Sequence, residues 1–184
     1  MTKLIPSLLL LASLSVMASA QTNASATYTI SQSGSNFTYD FTLHNLGTTN
    51  IGTFWFAWAP GQDYLPIAPS STTTPSGWSL VQTTSAGFGT GLQWTTPAAT
   101  ELTPGSDLSG FSFTTTTTPG EIAGLSIFGT HPPVATTFVY EHKFAGLTGS
   151  GGSKTFVASA VPEPASLAVL GLGAIALIRR RRRS

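Results

Sequence analysis

The sequence predicts an all-β protein: a single antiparallel β-sandwich, immunoglobulin-like or jelly-roll-like, flanked by an N-terminal signal peptide and a short C-terminal transmembrane helix. Three observations carry this reading. Phe37, Tyr39, Phe41 and Leu43 alternate without a break with Thr38, Asp40, Thr42 and His44, the period of a strand with one buried face. Charged residues make up only 8% of a chain rich in Thr, Ser, Gly and aromatics, where an average domain carries about 25%. Both ends switch abruptly to apolar runs beside basic residues.

From the N-terminus, Met1-Thr2-Lys3, an apolar run through Leu8 to Leu11, and Ala18-Ser19-Ala20 have the order of a signal peptide. Cleavage after Ala20 makes Gln21 the first mature residue. A first membrane helix is the alternative, opposed by Pro6 and the short apolar core. The folded domain is expected over residues 21–158. A length of this order is normal for one domain with its own hydrophobic core.

Its strands are placed near residues 27–31, 37–44, 53–59, 78–83, 92–96, 108–115, 124–128, 136–141 and 154–158. Pro-Gly, Thr-Pro, Gly-Ser and Pro-Pro pairs punctuate them. Residues 53–59 are so aromatic that both faces of their strand must be covered. Thr suits the exposed strand positions, because its branched Cβ fits the pleat. No window in the domain has a helical period. Residues 60–75 form a long loop, 146–153 a Gly/Ser-rich one, and 159–161 a short stalk.

Residues 159–184 form the tail. Val161-Pro162-Glu163-Pro164 precedes an apolar segment, residues 165–178, and Arg179, Arg180, Arg181, Arg182 and Arg183 close the chain before Ser184. Fourteen residues rise about 21 Å as a helix, short of a hydrocarbon core of about 30 Å. Snorkelling arginines and local thinning accommodate such a span, and the arginines hold that end in the cytoplasm. With the leader, this places the domain outside the cytoplasmic membrane.

Val-Pro-Glu-Pro, a short helix containing Gly171 and Gly173, and a terminal arginine run resemble the PEP-CTERM sorting domain. The resemblance covers Val161 to Ser184. It implies recognition by an exosortase, a membrane protease-transpeptidase, with this chain as substrate. It also implies transfer to the outer surface or matrix of an exopolysaccharide-producing, Gram-negative-type cell. A permanent membrane anchor is the alternative use of the same helix and arginines. A Leu-Pro-x-Thr-Gly motif for wall sortases does not occur.

Charge excludes nucleic acid as a partner. Residues 21–160 hold Lys143 and Lys154 against six acids, a net charge of −4, so they lack a phosphate-neutralising patch. The absence of cysteine excludes disulfides and thiolate chemistry. His44, His131 and His142 fall in no metal or catalytic motif, no calcium loop occurs, and no cofactor is expected. The chain reads as a non-enzymatic surface or matrix protein. A carbohydrate-binding module is the alternative, and a secreted hydrolase a more distant one. For sugar binding the candidates are the Trp rings, above all Trp78 and Trp94; core packing is their other use. Trp55 and Trp58 differ in strand parity, so a regular strand points them to opposite sides.

Overall fold

A computed structural model describes residues 20–143 and 151–162. The chain forms β1 (Ala24–Ser33), β2 (Asn36–Asn45), β3 (Thr53–Phe56), β4 (Trp58–Ala59), β5 (Gln62–Asp63), β6 (Ser71–Thr73), β7 (Ser79–Thr84), β8 (Thr90–Thr95), β9 (Asp107–Thr115), α1 (Pro119–Ala123), β10 (Thr136–Tyr140), β11 (Ser153–Val157) and β12 (Ser159–Ala160). Two five-stranded sheets result, in the orders β12-β1-β2-β9-β6 and β11-β10-β3-β8-β7, and β4-β5 pair separately. All neighbours are antiparallel except β12, which runs parallel to β1.

The alternation in residues 37–44 is realised: Tyr39, Phe41 and Leu43 are buried between the sheets. Phe41 meets Phe56 at 4.7 Å and Phe113 at 5.7 Å, while Phe54 stacks on Trp94 at 5.3 Å. Rings of this size bury about 150–250 Å² each, so an aromatic seam can support a domain without disulfides. On the opposite face of the first sheet, hydroxyls pair across strands: Thr38 with Thr114 and Thr42 with Ser109, both at 2.9 Å. The register slips between Phe41 and Thr42, leaving Gly110 as the extra residue of a bulge with φ of 99°. Few side chains tolerate that backbone, which is why glycine sits there.

Four expectations need correction. Residues 124–128 do not form a strand. Leu125 makes a single bridge to Pro133, and Ser126 N–H donates to Pro132 O. Pro132 and Pro133 have no N–H to return, so the ladder stops there. A helix, α1, precedes that segment. Its signature is local: Thr118 and Glu121 form a reciprocal capping box with Pro119 at the first helical position. Residues 53–59 are not one strand either. Ala57 adopts a left-handed φ of 54° and splits β3 from β4. The parity argument therefore fails, and Trp55 and Trp58 stack at 3.8 Å and 7°. Residues 159–161 are no stalk: Ser159 and Ala160 are β12, an edge strand of the sandwich. Inside the long loop, Gln62–Asp63 and Ser71–Thr73 form two further short strands.

The predicted membrane span at 165–178, most of the signal peptide and most of the 146–153 loop lie outside the described residues. Among the described residues, no helix is long and apolar enough to cross a membrane.

Candidate functional site

The tail leaves the sandwich at a built edge. After β11, Ala158 N–H donates to Ala135 O at 3.0 Å and carries the chain from one sheet to the other. Ser159 and Ala160 then pair with Thr27 and Tyr28. Val161, the first residue of the Val-Pro-Glu-Pro sequence, continues the pairing: its N–H donates to Tyr28 O at 2.8 Å. The Tyr28 ring is buried against Tyr39 and Phe41 at 5.9 and 5.3 Å, so the acceptor is held rigidly. Pro162 has no N–H, so it cannot donate a next bond to the sheet.

Val161 and Pro162 form one wall of a cleft of about 330 Å³, with Ala160, Ile30, Phe37 and Pro119 as neighbours. Pro119 is placed by α1. Thr118 N–H donates to Glu121 Oε2 at 2.7 Å, and Glu121 N–H returns a bond to Thr118 Oγ1 at 3.3 Å. The donated Thr118 N–H and then its hydroxyl hold the Glu121 carboxyl below its usual range. The helix is tied to the core by Tyr39, whose hydroxyl donates to Thr117 O at 2.7 Å. Burial, then Tyr28 and Glu121 nearby, push the Tyr39 phenol far above its ordinary value.

At the other end of the domain, Gln21 N–H donates to Thr48 Oγ1, and Thr48 N–H to Gln21 O, both at 2.9 Å. Ala20 is exposed, and Ala18 lies outside the described residues. Glu163, Pro164 and Arg179 to Arg183 also lie outside them.

The tryptophan platform is corrected. Relative exposures are 5% for Trp55, 6% for Trp58, 8% for Trp78 and 0% for Trp94, so no ring offers a free face. Trp78 packs edge-on to Phe111 at 5.2 Å, and Trp94 Nε1 donates to Thr73 O at 3.3 Å. The two candidates, Trp78 and Trp94, are core residues.

Sequence reasoning missed one polar arrangement on the outer face of the first sheet. His44 Nδ1 lies 2.7 Å from Asp107 Oδ1, and its Nε2 lies 3.2 Å from Thr27 Oγ1. Asp107 comes from β9, across the ladder, so spacing along β2 could not reveal it. Hydroxyl, imidazole and carboxylate stand in the order of a nucleophile relay. Acyl chemistry also needs donors aimed at an oxyanion and a cleft that excludes water. Here the groups sit on an open sheet. The adjacent groove, about 130 Å³, is lined by Thr27, Thr29, Asp40, Thr42 and Ser109 and does not include His44. Glu101 pairs with His142 at 3.0 Å, remote in sequence from this set. Among the described residues no group of three His, Cys, Asp or Glu stands ready for a metal.

Solved structures offer only a distant likeness. An exo-β-N-acetylglucosaminidase from Vibrio harveyi, solved with N-acetylglucosamine, is 14% identical with a TM-score of 0.39. The match covers 76% of this chain and 18% of that one, so this chain spans under a fifth of its length. A CBM3 of Hungateiclostridium clariflavum is 12% identical with a TM-score of 0.41, covering 78% of this chain and 100% of that one. No curated protein matches. The C-terminal tail is different: residues 160–183, starting inside β12, match the family described as the PEP-CTERM protein-sorting motif.

Proposed function

We propose that this protein is exported, held in the cytoplasmic membrane by its tail, cut near Pro162–Pro164 by an exosortase-type membrane protease, and delivered to the outer surface or extracellular matrix. There it acts structurally or adhesively among exopolysaccharide, without catalysis of its own. The match of residues 160–183 to the sorting motif carries this reading. The fold supports it. Gln21, where signal cleavage is expected, is bonded to Thr48, and Val161, where the sorting sequence begins, is bonded to Tyr28.

Fractionation of wild-type protein and of a chain truncated after Pro162 tests this. The wild type is expected at the outer surface, with mass spectra lacking the peptide Arg179 to Ser184. The truncated chain is expected to lose surface retention. A folded body in the cytosol, or an intact arginine end on surface material, would overturn the reading.

Carbohydrate binding is a second reading, moved from the buried tryptophans to the hydroxyl-lined groove beside Asp40. A glycan array with wild type and Asp40→Ala checks it. Equal, featureless arrays would dismiss it.

A further inference from the structure

The sandwich end from which the tail departs also carries exposed apolar side chains. The tail exits beside the β1–β2 turn, where β9 and β12 also finish. There Pro119, at the start of α1, faces Val161 and Pro162 across the exit cleft. Two residues along the same short helix, Glu121 lines a second cleft of about 100 Å³ with Leu125, Ile127, Tyr64 and Pro66. Five helical residues span about 7.5 Å, so the two clefts are neighbours. Leu125 and Ile127 are 70% and 73% exposed, with Ile67, Val157 and Val161 also exposed. The reason is the failed strand: Ser126 takes the buried position, and its two apolar neighbours are turned out. The described lysines are elsewhere: Lys143 follows β10 at its far end, and Lys154 pairs with Val139 within the ladder.

We infer that this end, led by Leu125 and Ile127, rests on the lipid surface while the tail is in the bilayer. The inference rests on the anchored-tail reading above. Chain length selects this occupant. Two residues, Glu163 and Pro164, separate Pro162 from the apolar segment at 165, so three backbone steps reach at most about 11 Å. A body on so short a leash cannot turn far from the bilayer, and the face nearest the leash carries exposed apolar side chains. Tethering supplies a high effective concentration, so a contact too weak to hold a free protein becomes populated. Cutting the tail removes the tether, and the same weak contact then releases the body outward. The contact carries little charge, since Glu121 is the one acid lining either cleft, neither contains a base, and Gln32 is neutral.

The chain has no cysteine, so a single environment-sensitive label can be placed at will. Protein that begins at Gln21 and keeps the tail, labelled at Ile127→Cys, is reconstituted in phosphatidylcholine vesicles containing shallow spin-labelled lipid. Leu46→Cys is the control, since Leu46 is exposed and apolar just past β2, at the opposite end. Vesicle flotation reads tail insertion separately. Flotation with several-fold stronger quenching at 127 than at 46, unchanged by salt or anionic lipid, is the expected result. Flotation with equal quenching overturns the docking alone. Failure to float overturns the anchored-tail reading and the docking with it. A blue shift at 127 that grows with protein concentration in lipid-free detergent assigns the patch to a second copy and also overturns the proposal.

Discussion

Tyr39→Phe removes one oxygen from a fully buried polar contact. The ring is 0% exposed, stacks on Phe113 at 4.9 Å and would be kept by phenylalanine. The hydroxyl donates to Thr117 O at 2.7 Å, and Thr117 is itself 0% exposed. A typical hydrogen bond contributes about 0.5–1.5 kcal/mol net, but a buried partner left unsatisfied raises the loss to about 1–3 kcal/mol. We expect about 2 kcal/mol, a fall in Tm of roughly 8 °C for a body of this size. Urea unfolding reads it as a lower midpoint with unchanged slope.

A second readout is specific to the phenol. Its folded pKa is raised, so its stabilisation is complete below the unfolded value of 10.0 and is lost as pH rises towards the folded value. Above pH 10 the wild type therefore loses stability through this residue, and the phenylalanine variant does not. The stability gap between them should be widest at neutral pH and narrow above 10. A gap below about 0.5 kcal/mol at pH 7, well under the loss expected for an orphaned buried carbonyl, would refute the reasoning. So would a gap constant across the alkaline range.

Ala57→Val places a β-branched residue at a buried left-handed position, at a cost of about 3 kcal/mol or more, and should erase the Trp55–Trp58 signal in near-ultraviolet circular dichroism. Glu121→Gln removes a carboxyl whose folded pKa is lowered. Its contribution is present above the unfolded value of 4.5 and lost as pH falls through the folded one, so the variant should show a flatter acid limb in thermal melts. Asp63→Ala strips the acceptor from Thr83 and Ser85, which both donate to its buried carboxylate at 2.6 Å; about 1–3 kcal/mol should be lost in urea titrations.

Much of the body was legible because its signals are local. The alternation through Phe41 named the buried face of β2, and Pro-Gly and Thr-Pro pairs marked the turns. The capping box around Thr118 and Glu121 was equally local, but lies in a segment too short for periodicity to mark it. Other features depend on what lies across the ladder. Residues 124–128 have strand-like alternation, yet their neighbour is Pro132-Pro133, which cannot donate. Ser159 and Ala160 carry no strand signal of their own, and pair because Thr27 and Tyr28 offer an open edge.

The sequence by itself determined the class of the protein. Alternation, turn residues and sparse charge specify a β-sandwich, and the ordered tail specifies the sorting motif, because each is written in contiguous residues. Only the tertiary structure decided where the tryptophans point, which carboxylate meets His44, and that Val161 and Pro162 share a cleft with Pro119. Those outcomes depend on one reversed backbone angle at Ala57 and on pairings between strands far apart in the chain, and no local window contains both partners.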